Sequence, residues 1–300
     1  MKRRHVLKIP AVLCAPLIGA AFSSCSTFGR KKIDESCWLD RLFVLDTWFW
    51  ENNWNAEQQC RMLRRLNLRK GTDCRSQWEA FPKVIEAFDQ NNVELTAVYI
   101  RLSIDDHEIP PVIPPLLKKL EKRGTLLWIT PTSKQFGPSD PAGDPFAAAL
   151  IREISIMAEK ADLPISLYHH RGDWLERAGD AHRVACKVDR GNVGCTFNLY
   201  HWLCIEGPDD LKSKAESVLP KLNCITVNGS MNNAGELDVR KAILPLGEGD
   251  YSVEHFLQTF ESLGYRGLIG LQGYGIGGDV YSKLEKSLHV WRDLYHRIYS

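Results

Sequence analysis

Asp144-Pro-Phe-Ala-Ala-Ala-Leu-Ile-Arg-Glu-Ile-Ser-Ile-Met-Ala-Glu-Lys160 is followed by Ala161-Asp-Leu-Pro164 and then by Ile165-Ser-Leu-Tyr168. Asp144 is a candidate N-cap, and Pro145 suits the first helical position, where its missing N–H is no loss. Apolar residues recur three and four apart from Phe146 to Lys160, which predicts an amphipathic helix. The short apolar run at Ile165 predicts a strand. On both sides the same unit recurs. Strand candidates begin near Leu42, Leu68, Leu95, Leu126, Ile165, Val193, Ile225 and Leu268, at spacings of 26, 27, 31, 39, 28, 32 and 43 residues. A period near thirty with helices between the strands predicts an α/β fold with a parallel sheet. An open doubly wound sheet fits the alternation too, but no G-x-G-x-x-G follows the first strand. Eight units favour a single-domain (β/α)8 TIM barrel over residues 41–300, with its chemistry in the loops after the strands' carboxyl ends.

Other helix signals agree. Asn55 caps a run through Leu66, the prolines of Ile109-Pro-Pro-Val-Ile-Pro-Pro115 stop any structure before Leu116, Val253–Leu263 ends at Gly264, and Val280–Ile298 closes the chain.

Residues 1–24 predict an export signal: Lys2, Arg3, Arg4 and Lys8 precede an uncharged apolar run, Ile9 to Phe22, too short to span a bilayer. Lys2-Arg-Arg-His-Val-Leu-Lys8 resembles a twin-arginine export motif, and Phe22-Ser-Ser-Cys25 a lipobox with Cys25 as the lipidated residue. The expectation is an exported bacterial protein at the periplasmic face of a membrane, held only by lipid on Cys25, or periplasmic or secreted without it. Residues 25–40 then read as a tether. Removing residues 1–24 turns the net charge of +1 into −3. A mildly acidic chain lacks the cation surplus nucleic acid requires. Of the nine cysteines, Cys14 leaves with the signal. The remaining seven beyond Cys25 contain no C-x-x-C pair and read as packing residues.

Leu246-Gly-Glu-Gly-Asp250, Leu263-Gly-Tyr-Arg-Gly-Leu-Ile-Gly-Leu-Gln272, Asn192-Val-Gly-Cys-Thr-Phe-Asn-Leu-Tyr-His201 and Ile165-Ser-Leu-Tyr-His-His-Arg-Gly172 resemble motifs of the sugar phosphate isomerase/epimerase family, whose members are xylose-isomerase-like TIM barrels related in fold to endonuclease IV. The resemblance implies a carbohydrate as small-molecule partner and a divalent metal (Mn, Mg or Zn) on Glu, Asp, His and Glu after strands five to eight. Here those positions hold Tyr168, Asn198, Thr226 and Gln272. Two amides, a phenol and an alcohol supply neither the anionic oxygens nor the imidazoles such ions favour, so the expectation is no metal cofactor.

His170 and His201 correspond to family histidines near the substrate and are the candidate catalytic residues. His169 alternates to the opposite side, and Asp173 and Glu206 are reserve acid/base candidates or solvated loop charges. Asn198, Asn228 and Gln272 pair donor with acceptor, which suits sugar hydroxyls, or they tie down loops. Together with Tyr168 they are the candidate substrate-binding groups. Trp48 and Trp50, set on one side by alternation, are candidates to stack on a sugar ring or to pack the barrel rim. Gly273-Tyr-Gly-Ile-Gly-Gly-Asp279 and Asn228-Gly-Ser230 offer phosphate-binding loops or plain turns, with Arg240 or Lys241 for added charge. Two functions follow: proton transfer next to a sugar carbonyl, as in isomerases and epimerases, or a non-catalytic carbohydrate-binding barrel in a glycan-processing assembly.

Overall fold

The computed structural model describes residues 33–75 and 79–299. The proposed signal and Cys25 lie outside the described residues. Among those described, seven parallel strands run in order: β1 (Leu42–Val44), β2 (Lys70–Asp73), β3 (Glu94–Ser103), β4 (Leu126–Thr132), β5 (Ile165–Tyr168), β6 (Val193–Asn198) and β7 (Leu222–Val227). Two short antiparallel strands, β8 (Gly229–Ser230) and β9 (Ile243–Leu244), interrupt the series before β10 (Leu268–Leu271). β10 pairs with both β7 and β1, for example Leu42 with Ile269, and this closes an eight-stranded barrel.

Strand alternation sorts the apolar residues into two cores. Phe43, Leu45, Ala97, Trp128, Tyr168 and Cys224 fill the barrel lumen. Val44, Val98, Ile129, Leu167, Phe197, Ile225 and Ile269 face outward into the larger core shared with the helices. Gly270 makes room in the lumen: a Cβ there would stand 2.6 Å from the Phe43 ring.

The helices follow the reading with instructive exceptions. Asn55 forms a capping box with Gln58, each side chain accepting the other's backbone N–H at 3.0 Å. Asp144 is the first helical residue instead of the cap. Its buried carboxylate meets Arg183 at 2.9 Å and Lys187 at 2.6 Å. The Pro114-Pro115 pair does not delay its helix, which spans Ile113–Leu120, because prolines are tolerated in a first turn. The expected tether also departs from the reading. Glu35–Asp40 is helical, and Trp38 is fully buried and stacked on Trp291 at 4.3 Å. The globular unit therefore begins before residue 41.

Among the described residues seven cysteines are free thiols: Cys60, Cys195 and Cys224 are buried, Cys74 and Cys204 are half-buried, and Cys37 and Cys186 are exposed. The two exposed thiols do not pack as expected. No described helix is long and apolar enough to cross a membrane.

Candidate functional site

A cavity of about 380 Å³ opens at the carboxyl end of the barrel, floored by Trp128 and walled by Tyr99, Tyr168, His170, His201 and Gln272. Its size lies near the lower end of small-molecule sites, roughly 300–1,000 Å³.

Asn198 organises the wall from behind. It ends β6 fully buried and caps the helix Leu199–Glu206, its Oδ1 accepting the His201 backbone N–H at 2.9 Å. Its Nδ2 donates to Tyr168 Oη at 2.5 Å and to Gln272 Oε1 at 2.8 Å. Three of the four positions at which the resemblance implies metal ligands are thus tied to one another. The fourth, Thr226, is buried with no partner for its hydroxyl. Burial holds the Tyr168 phenol well above its ordinary pKa, hence neutral. A set of neutral side chains, two of them committed as acceptors to Asn198, does not fit a hard divalent cation. Among the described residues no three His, Cys, Asp or Glu side chains cluster as ligands.

The histidines divide the work of the wall. His169 faces away from the cavity, as alternation predicts. Its Nε2 accepts the Asn198 backbone N–H at 2.9 Å, so Nδ1 carries the hydrogen and donates to Glu176 O at 3.1 Å. Burial and then the neighbouring His170 lower its pKa to about 4. His201 is 4% exposed, and its pKa lies well below the ordinary value through burial, then through His170, His169 and Arg171. The Arg171 backbone N–H donates to His201 Nδ1 at 3.4 Å, which places the ring hydrogen of the neutral form on Nε2. The His170 ring lies 4.2 Å from that of His201. His170 Nδ1 donates to Arg171 O at 2.9 Å and lies 3.2 Å from Asp173 Oδ2, so Nδ1 carries the hydrogen, and in the neutral ring Nε2 carries the lone pair.

Asp173 is no solvated loop charge. Burial opposes its ionisation, but His170 and Arg101, the latter at 2.5 Å, outweigh it and lower its pKa. Glu206 instead pairs with Lys214 at 2.5 Å and does not line the cavity.

Trp48 and Trp50 part company, because Asp46–Phe49 is a 3-10 helix and strand alternation ends before it. Trp50 lines the cavity with Tyr274 against it edge-on at 5.7 Å. Trp48 is fully buried, donates to Leu271 O at 3.1 Å and packs on Gly273, where a Cβ would stand 2.4 Å from the ring. It has no face for a ligand.

Asn228 is also buried away from the cavity, its amide donating to Gly229 O at 2.8 Å. Gly229 and Ser230 are spent on the β8–β9 pairing, and Arg240 pairs with Glu51 at 3.3 Å, so the Asn228–Ser230 loop presents no free phosphate cradle.

Sequence reading missed Tyr99, Arg101, Trp128, Arg171 and Tyr200, all of which line the cavity. It also missed Asp46, whose buried carboxyl accepts from Thr72, Trp50 and the Cys74 backbone at 2.8, 2.8 and 3.0 Å. The parity of β3 held a signal: Tyr99 and Arg101 share the inward side with Ala97.

A closed eight-stranded parallel barrel with its polar cavity at the carboxyl end is a TIM barrel, and its shape is that of the xylose-isomerase-like group. It superposes on the IolI protein with a binding zinc atom at a TM-score of 0.67 and 14% identity, covering 86% of this chain and 98% of that one. D-psicose 3-epimerase with D-tagatose from Clostridium cellulolyticum H10 gives 0.63 and 14%, covering 86% and 99%. A xylose isomerase-like TIM barrel protein from Mycobacterium smegmatis in complex with magnesium gives 0.63 and 15%, covering 86% and 97%. No protein-family model matches the chain, and no curated protein matches it in sequence. At such identities the likeness establishes the fold.

Proposed function

We propose that this barrel is an isomerase or epimerase-like protein that moves a proton next to the carbonyl of a carbohydrate, without a divalent metal. The observation that carries this reading is the complementary tautomer pair at the cavity wall. In its neutral form His170 offers a lone pair on Nε2, its Nδ1–H donating to Arg171 O with Asp173 Oδ2 3.2 Å away, while neutral His201 offers an Nε2–H. His170 takes the proton from the carbon beside the carbonyl, and Asp173 stabilises the imidazolium formed. His201 donates to the carbonyl oxygen as it becomes an enediolate, a role a neutral imidazole can fill. Tyr168 and Gln272 orient neighbouring oxygens, and Trp50 supplies an aromatic face. The sugar epimerase among the solved structures of this shape supports the substrate class.

A second reading, a carbohydrate-binding barrel without catalysis, is favoured by one fact: among the described residues no carboxylate lines the cavity to serve as a second strong base. The test is deuterium incorporation into sugars incubated with the purified protein in D2O, alongside metal analysis. Exchange in metal-free protein supports the histidine mechanism. Exchange that requires stoichiometric Mn, Mg or Zn overturns its metal-free part, and binding without exchange supports the second reading. We also propose that the chain is exported and lipidated at Cys25. Mass spectrometry of the membrane fraction, with Cys25→Ser as control, checks it: an unmodified cysteine in a membrane-free protein rejects lipidation.

A further inference from the structure

The cavity wall is polarised toward donation, and one backbone group sets that polarity. A backbone N–H can only donate, so the His201 N–H fixes Asn198 with Oδ1 toward it and Nδ2 toward Tyr168 and Gln272. Tyr168 Oη and Gln272 Oε1 must therefore accept. The phenol hydrogen and the Gln272 Nε2 hydrogens are left without an acceptor among the described residues, on side chains that line the cavity. The indole N–H of Trp128 on the floor is buried with no partner. Two arginines, Arg101 and Arg171, also line the cavity. Arg101 is neutralised by Asp173. Arg171 has no carboxylate within ion-pair distance among the described residues. Its guanidinium touches Gly235 O at 3.3 Å, Cys204 Sγ at 3.7 Å and the Tyr200 hydroxyl. Among the described residues no Asp or Glu lines the cavity; its acceptor is Nε2 of neutral His170, and the hydroxyls of Thr47, Tyr99, Tyr200 and Tyr274 serve either way.

A neutral sugar matches such a wall less well than an anionic one. Each sugar hydroxyl brings a hydrogen that needs an acceptor, and a buried donor left unpaired costs about 1–3 kcal/mol. Carboxylate and phosphate oxygens only accept, and a free guanidinium binds either in a forked, charge-assisted contact.

We infer that the cavity takes a carbohydrate bearing an anionic group, a carboxylate or a phosphate, with Arg171 on the anion and Tyr168 and Gln272 donating to adjacent oxygens. The inference rests on the sugar-binding reading above and narrows its substrate class. It is tested by calorimetric titration of the purified protein with a panel of neutral hexoses, the matching hexuronates and the matching hexose 6-phosphates. An anionic member should bind at least tenfold more tightly than its neutral parent, and whether that member is a uronate or a phosphate identifies the group. In Arg171→Gln the ratio should fall below twofold, while Arg171→Lys should retain part of it. Neutral sugars binding as tightly as their anionic counterparts overturn the anion inference and leave the sugar reading intact. An anion preference undiminished in Arg171→Gln overturns the assignment to Arg171. No binding by any member of the panel overturns both readings.

Discussion

At the amino end of the barrel, Arg41 is buried with every contact filled. Its Nε donates to Gly267 O at 2.9 Å, one terminal nitrogen meets Glu261 at 2.5 Å, and its plane lies 5.4 Å from the Trp38 ring. Glu261 in turn binds Arg266 at 2.9 Å and accepts from Tyr299. At the carboxyl end, Tyr168, Gln272 and Trp128 surround a cavity with hydrogens that no acceptor among the described residues answers, and Arg171 adds a charge with no carboxylate beside it among them. Both ends are polar and both are held by the same strands. What separates them is completion: a satisfied network holds the barrel together, and an unsatisfied one facing a cavity waits for a ligand.

The sharpest way to break this contrast is to unbalance the amino end. Glu261→Ala leaves the Arg41 charge buried without its anion, which should cost about 3–5 kcal/mol. The melting temperature should fall by roughly 10 °C, with sugar affinity below the transition unchanged. A small shift in melting would mean that water compensates Arg41 and that this end is less closed than its contacts imply. The carboxyl end should respond in the opposite manner. His170→Ala should lower exchange or turnover about 10²-fold or more and barely move the melting temperature, since the ring is half-exposed. Equal rates in variant and wild type would remove His170 from the mechanism.

The contrast was only partly legible in the chain itself. The eight strands and their inward and outward faces follow from alternating apolar residues, because burial on two sides leaves a direct imprint on each strand. Trp48 shows where that imprint stops. One turn of 3-10 helix after β1 rotates it into the core, and four residues carry no periodicity to announce such a turn. The Asp173–Arg101 pair joins residues 72 positions apart and depends on β3 and β5 ending at the same rim. Asn198, Tyr168 and Gln272 were recognisable as a group only through the resemblance. Their shared donor polarity required seeing which partner each hydrogen already had.

Asn198→Asp probes that polarity with a change of one atom. Aspartate still accepts the His201 N–H but offers nothing to Tyr168 or Gln272. Both would then turn their hydrogens inward to the carboxylate. The cavity loses two donors and gains a nearby anion, so anionic-sugar affinity should drop about tenfold, roughly 1.4 kcal/mol, with neutral sugars less affected. Unchanged anion affinity would show that Asn198 does not set the wall.

The smallest expected effect separates two corners of the same mouth by pH. On one side, His169 has its pKa lowered to about 4 and His201 has its own lowered well below the ordinary value of 6.5. As pH falls through 6.5 the unfolded chain takes protons there that the folded chain refuses, and stability declines. Across the mouth, burial and then Asp73 raise Asp46 from 3.8 to about 6. Its folded form binds a proton before the unfolded form does, so this group adds stability as pH falls through 6 and loses it as pH rises. Asp46 therefore offsets part of the histidine loss between pH 7 and 5. Asp46→Asn removes that offset and leaves the histidines alone. Urea unfolding at pH 7 and pH 5 should show the variant losing about 1 kcal/mol more than wild type over that interval. Parallel losses would mean that Asp46 is already ionised at pH 5, held so by Thr72, Trp50 and the Cys74 backbone. Asp46 would then add no pH dependence between pH 7 and 5, and the contrast between the two corners would vanish.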